Sequence, residues 1–230
     1  MSEIIGTEAD DYLAGTADSD IIQGLGGPDT VEAFEGDDLI DGGDDEDLLD
    51  GGAGNDIIIG GAGTDSLLGG DGNDIAFGGE GTDSLSGGAG TDLLFGGADN
   101  DSVAGGDGND IIHGDAGGDT LVGGAGADTF IYASASDSTA TATDLIRDFS
   151  SADHDVINLF LVDADSNRSG NQAFTFIGEH DFSGRAGQLR VEAVSDTAVR
   201  VEGDVNGDSV ADFAIDVRGT GTLTAHDFVL

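Results

Sequence analysis

An aspartate recurs every nine residues from Asp11 to Asp128 without a miss, and a short fixed period settles architecture before any helix or strand is assigned. Counted from Gly6, the register runs unbroken to Ile131, 126 residues or 14 repeats. The sixth position is Asp11, Asp20, Asp29, Asp38, Asp47, Asp56, Asp65, Asp74, Asp83, Asp92, Asp101, Asp110, Asp119 and Asp128. The eighth is apolar throughout, from Leu13 and Ile22 to Leu121 and Phe130, with Ala76 the only small member. Full Gly-Gly-x-Gly-x-Asp loops open at Gly51, Gly60, Gly69, Gly78, Gly87, Gly105 and Gly123; Asp45 and Asp99 stand where a third Gly belongs, and Asp115 where a second does. The first four repeats, residues 6–41, are degenerate and read as the atypical cap of a solenoid.

These columns define the unit. Glycines at positions 1, 2 and 4 open backbone dihedrals closed to other residues, so six residues wrap tightly and the last three are extended. In such a strand position 8 faces a core, while positions 7 and 9 face out. A nine-residue unit is half a coil. Two make an 18-residue turn, and seven turns stacked at about 4.8 Å form a rod about 34 Å long. Repeat n then lies on repeat n+2, which brings the Asp carboxylates of each edge into register. Two charges one strand spacing apart repel by roughly 3.5 kcal/mol at an effective dielectric of 20.

The rest of the chain supplies nothing to relieve that repulsion. There are 48 Asp+Glu against 6 cations, all Arg and all at or beyond Arg147, for a formal net charge of −42. Binding to nucleic acid or an anionic membrane surface is excluded on this balance. There is no Cys for a thiolate metal site or a disulfide, and no apolar run approaches a membrane span. The start Met1-Ser2-Glu3-Ile4-Ile5-Gly6 lacks the basic and apolar regions of a signal peptide. Several Ca²⁺ ions between stacked loops would reverse the sign of the repulsion, since a hard cation takes 6–8 oxygens from carboxylates and carbonyls; Mg²⁺, which keeps its waters, suits the loops less. A merely solvated acidic edge is the plainer alternative.

The loops Gly51-Gly52-Ala53-Gly54-Asn55-Asp56, Gly69-Gly70-Asp71-Gly72-Asn73-Asp74 and Gly105-Gly106-Asp107-Gly108-Asn109-Asp110 resemble the nonapeptide of RTX, or hemolysin-type, calcium-binding proteins. The resemblance implies an all-β fold, a parallel β-roll. It also implies ions held by the carbonyls of positions 2 and 4 and the Asp of one loop, with the carbonyls of positions 1 and 3 and the Asp two repeats on. Carried across, Gly52, Gly54 and Asp56 share an ion with Gly69, Asp71 and Asp74, and fourteen loops allow at most 12 such pairings. The implied ligands begin with Asp29, Asp38 and Asp47, then Gly61, Gly63 and Asp65, with Gly70 and Gly72 beside those already named. They continue through Gly78, Gly79, Glu80, Gly81 and Asp83, then Gly87, Gly88, Ala89, Gly90 and Asp92. Asp101, Gly105, Gly106, Asp107, Gly108, Asp110, Asp119, Gly123, Ala125 and Asp128 complete them.

The two outer faces differ. On one, positions 7 and 9 are Ile57 and Ile59, Ile75 and Phe77, Leu93 and Phe95, Ile111 and His113; on the other they are mostly Ser, Thr, Ala and single aliphatic residues. A greasy ladder of this extent is normally covered. It is expected to be an interface, either under a C-terminal region folded back on it or in self-association or docking of a partner.

Composition changes near residue 132. Gly falls to 8 in the last 99 residues, and 7 of the 11 Phe lie there. The chain therefore divides into a roll, 1–131, and a C-terminal β cap, 132–230. Segments Ala173–Ile177, Gln188–Val194, Ala198–Val201 and Asp212–Val217 alternate and predict antiparallel strands capping the roll. The stretches Asp128-Thr129-Phe130-Ile131-Tyr132, Asp144-Leu145-Ile146-Arg147-Asp148-Phe149, Asp155-Val156-Ile157-Asn158-Leu159 and Phe182-Ser183-Gly184-Arg185-Ala186-Gly187 resemble the C-terminal domain of serralysin-type secreted metalloproteases, and related segments follow the repeats of alginate epimerases. Asp204, Asn206, Asp208 and Asp212 read either as a second, EF-hand-like metal loop or as a plain hairpin turn at Asn206-Gly207. The ending Asp227-Phe228-Val229-Leu230 looks like the uncleaved signal of type I secretion substrates.

No catalytic set is visible. His113, His154, His180 and His226 are isolated, so no zinc-protease helix motif exists, and there is no Gly-x-Ser-x-Gly elbow. The expectation is a secreted calcium-binding roll, exported by a type I machinery, that folds on Ca²⁺ and has no catalytic centre of its own. The alternatives are the export or chaperone module of a larger secreted enzyme of metalloprotease or alginate epimerase type, and a calcium-dependent adhesin or surface protein.

Overall fold

A computed structural model of the chain describes residues 1–220 and 222–230. Two β-sheets face one another along the repeats. One runs through strands Glu3–Ile5, Ile21–Gly26, Leu39–Asp44, Ile57–Ala62, Ile75–Glu80, Leu93–Ala98, Ile111–Ala116 and Thr129–Ile131. The other carries the interleaved strands from Tyr12–Ala14 to Thr120–Ala125. Partners are parallel and 18 residues apart, Ile57 on Ile75 and Ser84 on Ser102, so repeat n lies on repeat n+2 as the period requires.

All fourteen position-8 side chains are buried and form one apolar column between the sheets. Full strands are longer than the three residues expected. Each runs from position 7 of one repeat to position 3 of the next, as in Ile57–Ala62, because the paired glycines stay in register with the coils above and below. Only positions 4–6 turn.

The sheets do not stop where the repeats do. Asp144–Ile146 pairs in parallel with Thr120–Ala125, and Val156–Asn158 with Thr129–Ile131, so the C-terminal segment adds coils to the same two sheets. Ile146 and Ile157 extend the buried column. Gln188–Ser195, Ala198–Asp204 and Phe213–Arg218 form the antiparallel meander, and its last strand joins Asp144–Ile146 in parallel. The expected strand over 173–177 shrinks to Thr175–Phe176 and pairs in parallel, not antiparallel. The chain closes with a short 3-10 turn, Ala225–Asp227, and strand Phe228–Val229 on Val156–Asn158.

The C-terminal region does not fold back over the greasy face. It lengthens the ends of the sheets instead, and Ile57 and Phe77 stay 39% and 38% exposed. Ile59, Ile75, Leu93, Phe95 and Ile111 are half-buried. Phe77 and Phe95 stack with centroids 4.9 Å apart, and His113 continues the stack at 4.5 Å. Parallel pairing in register aligns like side chains in this way.

Candidate metal centre

Each turn ends on the invariant Asp, whose side chain folds inward; from Asp20 to Asp128 these carboxylates are buried. One oxygen has a structural task. Asp74 Oδ1 accepts the N–H of Asp56 at 2.8 Å, Asp92 Oδ1 that of Asp74 at 2.8 Å, and Asp110 Oδ1 that of Asp92 at 2.9 Å. The other edge repeats this through Asp47, Asp65, Asp83, Asp101 and Asp119. A side chain of one coil thus satisfies the turn of the coil below, which makes the aspartate column part of the backbone accounting.

Among the described residues the other oxygen has no protein partner. Oδ2 of every column Asp from Asp29 to Asp128 is buried without a hydrogen bond. Twelve such atoms in two rows exceed what a folded chain tolerates unless something else satisfies them. Burial is the first cause of the resulting acidity change. It pushes Asp47, Asp56, Asp65, Asp74, Asp110 and Asp119 up to about 6 and Asp101 to about 7, against the hydrogen bond at Oδ1, which lowers them. Stacked neighbours raise them further, Asp92 acting on Asp74 for example. Asp20 runs the other way, held below the usual range by the N–H of Ser2 and the hydroxyl of Thr16.

Backbone oxygens converge on the same gaps. A Cβ on Gly51 would lie 2.5 Å from Asp56 Oδ2 and 2.8 Å from the carbonyl oxygen of Gly69; Gly60 has the same relation to Asp65 and Gly78. Gly70 and Gly72, at φ +113° and +144°, leave room for the carbonyls of Gly52 and Gly54 in the loop below. Position-1 carbonyls therefore stand beside the free carboxylate oxygen, and the carbonyls of positions 2 and 4 stand against the glycines of the loop above. The position-3 carbonyls of Asp71, Glu80, Ala89, Asp107 and Ala125 already accept the N–H of Gly54, Gly63, Gly72, Gly90 and Gly108. Each keeps a second lone pair. Where the motif is interrupted the path survives: Asp45, Asp99 and Asp115 take φ of 77°, 75° and 63°, a region that Asp tolerates. The carbonyls of Asp45 and Asp99 stand under Gly63 and Gly117 as that of Gly54 stands under Gly72.

Anionic oxygens without proton donors, faced by carbonyls and with no nitrogen or sulfur, make a donor set for a hard cation such as Ca²⁺. Among the described residues no three His, Cys, Asp or Glu side chains converge on one point.

The second loop is built differently. Asp204 accepts the N–H of Gly207 at 2.6 Å and of Ser209 at 3.0 Å, Asp212 accepts that of Val205 and the Asn206 amide, and Asp208 Oδ1 accepts that of Val210. Its carboxylates are occupied by turn N–H groups, as in the hairpin reading. What the nine-residue period misses is that the columns continue. Asp144 Oδ1 accepts from Asp119 at 2.9 Å and Asp155 Oδ1 from Asp128 at 3.0 Å, after 25 and 27 residues instead of 18. The signal was the Asp-x-Ile triplet in Asp144-Leu145-Ile146 and Asp155-Val156-Ile157, which copies positions 6 to 8.

Residues 40–230 match the family model of the Peptidase M10 serralysin C terminal, and residues 5–33 and 14–49 match that of the RTX calcium-binding nonapeptide repeat. Among solved structures, the AlgE6R2 subunit of the Azotobacter vinelandii mannuronan C5-epimerase is 28% identical, with 65% of this chain and 90% of that one covered at a TM-score of 0.48. The AlgE6R3 subunit is 23% identical, with 97% and 80% covered at 0.36. A search of curated proteins finds no match.

Proposed function

The chain belongs to the serralysin C-terminal family and carries RTX calcium-binding repeats, and from that premise we propose that it is a secreted calcium-gated β-roll without a catalytic centre of its own. The observation that carries this reading is the double row of buried, unpartnered Oδ2 atoms. Empty, those rows oppose folding; filled with Ca²⁺, they join each loop to the one above it. The ion supplies the positive charge and the coordination, and the chain supplies Gly52, Gly54, Asp56, Gly69, Asp71 and Asp74 around one gap, with equivalent sets in the others.

External millimolar Ca²⁺ fills sites of ~10⁻⁴ M affinity, whereas cytosolic levels leave them empty. At ten times Kd each site contributes about 1.4 kcal/mol, so five sites supply about 7 kcal/mol, comparable to the stability of a domain. Export by a type I machinery then acts on the extended chain. The terminal residues fit this order: Asp227 accepts from Thr224 N at 2.7 Å and Phe228 is buried in the last strand, so folding covers these two residues of a terminal export signal while Val229 stays exposed. Among the described residues no helix is long and apolar enough to cross a membrane. The test is circular dichroism with and without EGTA; an identical β signal in both sinks the reading.

A second reading keeps the same ion chemistry and makes the chain the export and folding module of a larger secreted enzyme. The match to a serralysin C terminal favours it. It requires an enzyme domain encoded in frame upstream of Met1.

A further inference from the structure

The two ladders do not begin at the first loops. Asp11 and Asp20 hold the same column position as the other twelve, yet their Oδ2 atoms have partners. Asp11 Oδ2 accepts from Thr7 N at 2.6 Å and Thr7 Oγ1 at 2.8 Å, and Asp20 Oδ2 accepts from Thr16 N and Thr16 Oγ1, both at 2.8 Å.

Thr7 and Thr16 occupy position 2 of their loops. In all twelve later loops position 2 takes a positive φ, even where it is Leu25 at 85°, Phe34 at 78° or Asp115 at 63°. Thr7 and Thr16 are not among the positive-φ residues, as expected of β-branched side chains, for which that region is strained. The two features have one cause. With Thr at position 2 the turn takes another backbone path, and the hydroxyl and N–H meet the carboxylate oxygen that elsewhere faces the gap.

We infer that the hydroxyls of Thr7 and Thr16 stand in for a metal ion at the first two loops, so that the gaps from Asp11 to Asp29 and from Asp20 to Asp38 hold none. The inference rests on the calcium reading above and narrows it. Of the twelve pairings that fourteen loops allow, ten remain, five on each edge, beginning at Asp29 and Asp38. The first coil is then a stub closed by protein hydrogen bonds alone, on which the ion-dependent coils stack.

Calcium bound per folded chain, counted by native mass spectrometry and by equilibrium dialysis with atomic emission, tests it. Asp11→Asn and Asp20→Asn are expected to leave the count unchanged, whereas Asp74→Asn, which strips a carboxylate from two gaps, lowers it by one or two. Thr7→Gly with Thr16→Gly removes the hydroxyls and restores the permissive residue; the count is expected to rise by two. A lower count in either of the first two variants overturns the threonine assignment and leaves the calcium reading standing. So does an unchanged count in a folded double-glycine chain. A parent chain that binds no calcium, or an undiminished count in Asp74→Asn, overturns both.

Discussion

Acid is expected to do part of the work of calcium. Consider the chain in EGTA, taken from pH 7.5 to pH 4. Six roll aspartates with pKa about 6, and Asp101 at about 7, sit roughly 2 to 3 units above an ordinary aspartate because they are buried. The folded form therefore holds its protons more tightly than the unfolded chain. Stability from these groups is fully present below pH ~4, where both states are protonated, and is lost as pH rises through 6 to 7. Two units correspond to about 2.7 kcal/mol per group. Solvent near the loop rims and the sharing of protons between stacked neighbours cut this to about 1 kcal/mol each. Seven groups then supply about 7 kcal/mol, enough to move the metal-free roll from largely unfolded to largely folded. Far-ultraviolet circular dichroism and amide exchange in EGTA read the change, with light scattering to exclude association near the pI of about 4.1. With calcium present the sign reverses: protons compete for the same oxygens, so the calcium midpoint rises as pH falls. A metal-free chain whose β content stays flat, or declines, between pH 7 and 5 would show that burial of these carboxylates does not hold their protons in the folded roll.

Two substitutions separate the loop backbone from the turn in the cap. Gly70→Ala places a Cβ on the carbonyl oxygen of Gly52 at φ +113°, and is expected to cost about 2–3 kcal/mol and raise the calcium midpoint of folding severalfold, read by titration. Asp204→Ala deletes the acceptor of two turn N–H groups, those of Gly207 and Ser209. It is expected to lower the melting temperature through about 1–3 kcal/mol while leaving bound calcium per chain unchanged; a lost ion would show that this loop is a metal site after all.

The legible part of the roll came from repetition. A nine-residue beat with one apolar residue at position 8 forces an 18-residue coil, a single core column and two stacked rows of aspartate, and the register Ile57 on Ile75 and the burial of Leu94 and Ile112 follow from it. The C-terminal strands were legible as strands and not as partners. Alternation marks Asp212–Val217 as a strand, but nothing local says that the strand formed there, Phe213–Arg218, joins Asp144–Ile146 in parallel. The greasy columns were plain to see, and covering by the C-terminal region was the wrong expectation because that region finds its burial by lengthening the sheets.

By itself the sequence determined the coil, its core and the acid that must be neutralised, because these depend only on residue type at a fixed spacing. Only the tertiary structure decided which carboxylate oxygens lack a donor. That property depends on the path of each turn, on Thr7 and Thr16 closing theirs and on the glycines leaving theirs open, and on Asp144 and Asp155 reaching the columns after insertions that no period records.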